Sequence, residues 1–170
     1  MRMAKDLIEE IDDYEEDTQK DKYLTFQVDE ESYGIGIGIV TEIIGIQPIT
    51  QVPELPEYIR GIINLRGKII PVMDVRMRFK MDFKDYNDRT CIIVIEVKDM
   101  SVGLIVDSVS DVLNIPEDEV VAPPELQKKS NKYIEAIGKV DKSIVLILDC
   151  DRLLKDEDYM KIKEIEKDEE

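Results

Sequence analysis

The chain has 170 residues, 43% of them hydrophobic, and a formal net charge of −16. That apolar content suffices for a buried core, yet no apolar run approaches the roughly 18–20 residues that span a bilayer. The negative field opposes phosphate backbones and anionic lipid surfaces, so neither nucleic acid nor direct membrane contact is expected. The opening Met1-Arg2-Met3-Ala4-Lys5-Asp6 turns acidic before any apolar stretch, which argues against a secretory leader and for the cytoplasm.

Residues 1–22 hold nine acids and four bases and read as an acidic N-terminal extension. Leu7, Ile8, Ile11 and Tyr14 have the spacing of a short amphipathic helix within it. From Tyr23 to Asp151 the pattern changes to short apolar or alternating segments separated by turn residues, the mark of an all-β fold. Strands are expected at 23–28, 33–37, 61–65, 68–74, 90–97, 101–106, 134–140 and 143–149. Arg66-Gly67 forms a two-residue hairpin in which glycine accommodates positive φ. A helical turn is expected around Val40–Ile44, another after Asp74, and a closing helix from Asp151. Pro71 implies that its strand is an edge or carries a bulge. Residues 155–170, with eight acids and four bases, read as an acidic C-terminal helix or tail. Cys91 and Cys150 sit inside apolar runs and read as small buried hydrophobes.

Chemistry-bearing motifs are few. There is no histidine, which removes the commonest general base and metal ligand. Neither a phosphate-binding G-x-x-x-x-G-K-[ST] nor a G-x-S-x-G nor a C-x-x-C occurs. No cofactor, metal or catalytic residue is assigned; a small enzyme using carboxylates such as Asp74 and Glu42 is the opposing reading.

The most informative feature is an internal repeat. Shifted by 69 positions, residues 23–46 lie on 92–115 without a gap, matching Val28 with Val97, Gly34 with Gly103 and Val40 with Val109. Shifted by 75, residues 58–79 lie on 133–154, matching Tyr58 with Tyr133, Ile62 with Ile137 and Asp74 with Asp149. Two copies of a five-strand unit are expected, at 23–85 and 86–154. A unit of about 65 residues is marginal alone, so two small β-barrels packed on a shared apolar face are expected.

Tyr33-Gly34-Ile35, Val40-x-Glu42-Ile43, Pro53-x-x-Pro56-x-Tyr58-Ile59-x-Gly61, Asn64-Leu65-Arg66-Gly67 and Ile70-Pro71-Val72-x-Asp74 stand in order along the chain. Together they resemble the CheW family of bacterial chemotaxis coupling proteins, in register from about Tyr23 to Leu154. The resemblance implies two SH3-like five-stranded barrels and a non-catalytic scaffold. Its implied partners are the cytoplasmic tips of transmembrane chemoreceptors and the regulatory domain of the histidine kinase CheA. An isolated monomer, recruited to membrane-associated receptor arrays, is implied as well. A regulator that binds the kinase alone is the other interaction-based reading.

Carried over by position, Ile37, Val40, Val106, Val109 and Val112, with Glu42, match a groove between barrels that takes the receptor's helical tip. Glu42 and Arg66, beside Gly67, match a family ion pair near the binding surfaces. Leu126, in the loop Ala122-Pro123-Pro124-Glu125-Leu126, matches a kinase contact. Gly36 and Gly38 depart from the family pattern and are expected to weaken a short helix near Val40.

Overall fold

The computed structural model describes residues 19–124 and 132–154. The N-terminal helix suggested on Leu7–Tyr14, the contact residue Leu126 and the segment 155–170 lie outside the described residues.

In chain order the elements are β1 (Lys22–Val28), β2 (Glu31–Gly36), a 3-10 turn (Ile37–Ile39), β3 (Val40–Gly45), β4 (Ile59–Leu65), β5 (Lys68–Asp74) and α1 (Val75–Arg78). There follow β6 (Cys91–Val97), β7 (Met100–Val106), β8 (Ser108–Asn114), a 3-10 turn (Glu117–Glu119), β9 (Val120–Val121), β10 (Ile134–Val140), β11 (Ser143–Leu148) and α2 (Cys150–Leu153). The fold is all-β, with one sheet ordered β8-β1-β2-β11-β10-β9 and another ordered β3-β6-β7-β5-β4.

The repeat governs both orders. Replacing each strand by its repeat partner (β3 by β8, β6 by β1, β7 by β2, β5 by β11, β4 by β10) turns the second order into the first five strands of the other. Even the rarer parallel contacts correspond, β5 with β7 and β11 with β2. Each sheet's edges are also bridged alike. Past β3, Thr50 pairs with Ile62 of β4, and past β8, β9 pairs with Ile137 and Gly138 of β10.

The sheets do not divide at the repeat boundary expected at 85/86. Hairpin β1–β2 belongs to the sheet of β8–β11, and hairpin β6–β7 to that of β3–β5. The chain changes sheet within each repeat, at Ile37–Ile39 and again at Asp107, so each half donates its first hairpin to the other. Such an exchange makes the two units inseparable, because neither sheet is complete without strands from both halves.

The donated strands also explain the unbroken apolar runs. On β6, Ile93, Ile95 and Val97 face the seam between sheets, while Ile92 and Val94 enter a second cluster with Ile63, Ile70, Val72 and Ile105. The seam takes Leu24 and Phe26 from β1, Tyr33 and Ile35 from β2 and Leu104 from β7. Burying each such side chain contributes about 1.5–3 kcal/mol.

Two local expectations need correction. Val40–Gly45 is strand, antiparallel to β6, with a bulge between Val40 and Glu42. Gly36 and Gly38 therefore weaken no helix, and a Cβ at either would meet nothing within 4 Å. Strand β5 is internal, between β7 and β4, in spite of Pro71. The proline is tolerated because the parallel pairing to β7 begins only at Val72.

Candidate interaction site

The hairpin β4–β5 turns on Arg66 and Gly67, whose φ values of 53° and 86° suit a two-residue turn of the type that matches strand twist. Asn64 Oδ1 accepts from the Gly67 N–H at 2.8 Å and fixes the loop. Arg66 then reaches Glu42 on β3, the opposite edge of the same sheet. Its Nη1 donates to Oε1 at 2.9 Å and its Nη2 donates to Oε2, a fork-to-fork pair. The hydrogen bonds and charge of Glu42 hold the guanidinium's pKa above its ordinary value. The Arg66 side chain remains 72% exposed, so a charged, geometrically fixed feature stands at the rim.

The five apolar residues assigned to a groove come together, though not all at a surface. Ile37, Val40 and Val106 belong to the seam core, and Val109 and Val112 pack against it half-buried. The first three are 2%, 8% and 2% exposed, a correction to their expected place on a groove wall. The cause is the exchange of hairpins: all three flank a crossover between the sheets and turn their side chains into the seam. Only Val109 and Val112, on edge strand β8, keep apolar surface within reach of a partner.

Sequence reasoning missed a second ionic cluster. Arg76 of α1 donates through Nη2 to Asp107 Oδ2 and through Nη1 to Asp29 Oδ1 at 3.4 Å. The Asp29 N–H donates to the same Asp107 oxygen at 2.8 Å, and the Asp107 N–H to the Gln27 carbonyl at 3.0 Å. Burial works against the Arg76 charge, yet the two carboxylates hold its pKa above normal. The cluster ties α1, which follows β5, to the β1–β2 turn and to the crossover after β7. Its one sequence signal is Asp107, a lone acid in the apolar run from Leu104 to Val109.

Arg78 was missed as well. Its guanidinium lies 4.3 Å from the Tyr58 ring centroid and 4.9 Å from that of Tyr133, the two tyrosines matched by the repeat. Its Nε donates to the Leu153 carbonyl at 2.8 Å, and Leu153 is the residue the repeat matches to Arg78. One arginine thus joins both copies where equivalent elements meet.

Both carboxylates named in the enzyme reading already have partners. Asp74 is 3% exposed and caps α1, accepting from the Met77 N–H at 3.2 Å and from the Tyr86 hydroxyl at 2.8 Å. Glu42 is bound to Arg66. Cys150 is buried, with burial first and neighbouring acids second pushing its thiol up to about 12, so it is no nucleophile at neutral pH. Among the described residues no helix is long and apolar enough to cross a membrane.

A family profile described as the CheW-like domain matches residues 22–158. The chain is 37% identical over 135 residues to the chemotaxis protein CheW of Bacillus subtilis, covering 79% of this chain and 86% of that one. Against the chemotaxis protein CheW of Klebsiella aerogenes the figures are 31% over 152 residues, 89% and 92%. The crystal structure of the scaffolding protein CheW from Thermoanaerobacter tengcongensis superposes with a TM-score of 0.75 at 37% identity, covering 81% of this chain and 94% of that one. An all-β pair of sheets built by duplication and carrying a fixed surface ion pair agrees with these relatives: the chain belongs to the CheW-like family of chemotaxis proteins.

Proposed function

We propose that this chain is a non-catalytic cytoplasmic scaffold that couples the tips of transmembrane chemoreceptors to the regulatory domain of the histidine kinase CheA. The observation that carries this reading is the Glu42–Arg66 pair, a bidentate contact at an exposed rim with little reason to exist for stability. Family membership and a structural neighbour described as a scaffolding protein support it. Val109 and Val112 offer apolar side chains to a receptor helix laid along the seam, while Ile37, Val40 and Val106 support them from beneath. Glu42, Arg66 and Gly67 form a recognition rim, and Leu126 contributes to the kinase contact. The charge of −16 leaves proteins as the partners, not nucleic acid or lipid. Isolated, the chain is a monomer; in the receptor array many modest contacts act together.

The test is a binding assay with a receptor-tip fragment and a kinase regulatory fragment, separately and together. Both fragments are expected to bind, and to bind simultaneously. Arg66→Ala should weaken at least one contact tenfold without shifting the melting midpoint. Binding of the kinase fragment alone would favour the regulator reading, and unchanged binding by Arg66→Ala would remove the pair from the interface.

A further inference from the structure

Four ladders join strands from different halves of the chain: β1 with β8, β2 with β11, β3 with β6 and β5 with β7. Within a half, the described strands pair as the hairpins β1–β2, β4–β5, β6–β7 and β10–β11. To these only two short bridges are added, Thr50 to Ile62 and β9 to β10. Side-chain ties follow the same division. Arg76 holds Asp107, and Arg78 holds the Leu153 carbonyl and the Tyr133 ring, each across halves. What lies beyond a local hairpin is therefore mostly contact between one half and the other. Nothing in those contacts requires both halves to come from one molecule.

The segment 79–90 joins the halves and carries no regular secondary structure. Asp74 pairs with Ile105 and Cys91 with Val106, on opposite sides of β7. Neighbouring strands lie about 4.8 Å apart, so these two chain ends are only about 10 Å apart. Extended from Phe79 to Cys91, the connection would reach about 40 Å, so it is slack. Its first part belongs to the first half, since Tyr86 bonds Asp74 and Phe83 lies 4.9 Å from the Arg60 guanidinium. A turn at Asn87–Thr90 then sends the chain into β6. There the Asn87 N–H donates to Thr90 Oγ1 at 2.9 Å and the Arg89 N–H to Asn87 Oδ1 at 2.8 Å. The Thr90 N–H donates to the Asn87 carbonyl at 3.2 Å.

We propose that the chain swaps halves with a second copy of itself by opening the Asn87–Thr90 turn. In the swapped dimer each first half meets the other molecule's second half through the same four ladders, so the apolar seam is built twice. Only the turn bonds and the entropy of association oppose this, and concentration offsets the second. The dilute chain is the closed monomer, and crowding shifts it towards the swapped dimer. Each Glu42–Arg66 rim then shares a seam with Val109 and Val112 of the other molecule, and one dimer carries two such composite faces. Bivalence of that kind strengthens attachment to an array. This consequence rests on the function proposed above, whereas the swap does not.

Disulfide trapping between two full-length variants tests the swap alone. Gly45 lies opposite Cys91 on the β3–β6 ladder, and a Cβ at Gly45 meets nothing within 4 Å. One chain carries Gly45→Cys, Cys91→Ser and Cys150→Val; the other keeps Cys91 and carries Cys150→Val. The two are mixed, warmed through the unfolding midpoint, cooled and oxidised. A disulfide joining the two chains, identified by peptide mass, should be roughly tenfold more abundant than with Asp141→Cys in place of Gly45→Cys. No ladder brings Asp141 to Cys91, so that variant reads random collision. The yield should grow with protein concentration and stay low when warming is omitted. Asn87→Ala in both chains removes the acceptor of the Arg89 N–H and should raise the yield several-fold. Where Gly45→Cys fails to close on Cys91 within one chain, light scattering on wild-type protein refolded at high concentration reads the dimer directly. Equal yields from the two test positions overturn the proposal, as does a refolded protein that stays monomeric at every concentration.

Discussion

Arg66 and Asp141 occupy repeat-matched hairpin tips, with φ of 53° and 54°, and their chemistry is opposite. Around the first tip, Arg66 is clasped by Glu42. Around the second, the position matching Glu42 is Asp111, and an Asp141–Asp111 pair would bring two negative charges together. Asp111 instead turns its Oδ1 to the neighbouring Val112 N–H at 2.8 Å. The crossovers differ just as much. Gly38 sits in a turn with open space about it, whereas the matching Asp107 is locked to Arg76 and Asp29. Backbone symmetry was retained while the side chains at tips and crossovers diverged. Two copies of one framework thus present two distinct sets of groups, as a protein with unlike neighbours requires.

The largest effect is expected where the backbones themselves differ. Gly61 sits at a β4 bulge with φ 143°, and a Cβ there would lie 2.1 Å from the Thr50 carbonyl oxygen. The matching residue, Ala136, occupies the equivalent β10 bulge and carries its Cβ without difficulty. Gly61→Ala should cost about 3 kcal/mol or more, because it strains φ and severs the bridge between sheet edges. Ala136→Gly should cost about 1 kcal/mol or less. Urea denaturation of both variants measures the contrast; similar losses would mean that the two bridges respond alike.

Next come the crossovers. Asp107→Gly copies Gly38 into the second crossover and strips Arg76 of its closest partner. Removing one member of a buried pair costs about 3–5 kcal/mol. Here solvent reaches Asp107 at 28% and Asp29 at 58%, so a loss of about 1–3 kcal/mol is expected. Gly38→Asp has room on every side and should stay within about 0.5 kcal/mol. Equal effects would mean that the clamp contributes nothing to holding the sheets together.

A smaller difference separates the first residues of the two short helices. Val75 and Cys150 are matched by the repeat, and both are buried. With its pKa raised to about 12 by burial, the Cys150 thiol ionises first in the unfolded chain, near pH 9. Its contribution to stability is therefore complete below pH 9 and declines as pH climbs towards 12. Cys150→Val makes the second copy resemble the first and removes that decline. Comparing urea midpoints at pH 8 and pH 10 checks it, and an identical alkaline loss in the variant would assign the loss elsewhere. Tyr86, also raised by burial and then by its bond to Asp74, adds a loss of the same sign at higher pH.

Eight strands, the turns and the duplication were legible because each has a local signal (period-two apolarity, a glycine at a tip, an ungapped shift), whereas β8 and β9 were not expected. Strand β3 was misread as helix because Gly36, Gly38 and Gly45 surround a short apolar stretch in which no alternation is clear. The exchange of hairpins was illegible in principle, since apolar pattern says that a segment pairs but not with which neighbour. For the same reason Ile37, Val40 and Val106 could be placed at the seam but not divided between its core and its surface. Residues 29, 76 and 107 are far apart in sequence, and only the fold makes them a cluster. Glu42 and Arg66 were joined through the family resemblance alone, and the fork between them gives that pairing its geometry.

The smallest effect on stability is expected at the tips, and it separates recognition from architecture. Arg66→Asp gives the first tip the charge of the second and leaves Glu42 facing a like charge. Solvent screens both groups, so the melting midpoint should not move beyond error, while partner binding should fall. The reciprocal Asp141→Arg should gain no binding, because Asp111 is engaged with the Val112 backbone and offers the new guanidinium no fork like that of Glu42. A lowered midpoint with binding intact would instead make the Glu42–Arg66 pair a tie between β3 and the β4–β5 turn. The side chains then serve the sheet, and the interface must be sought along β8.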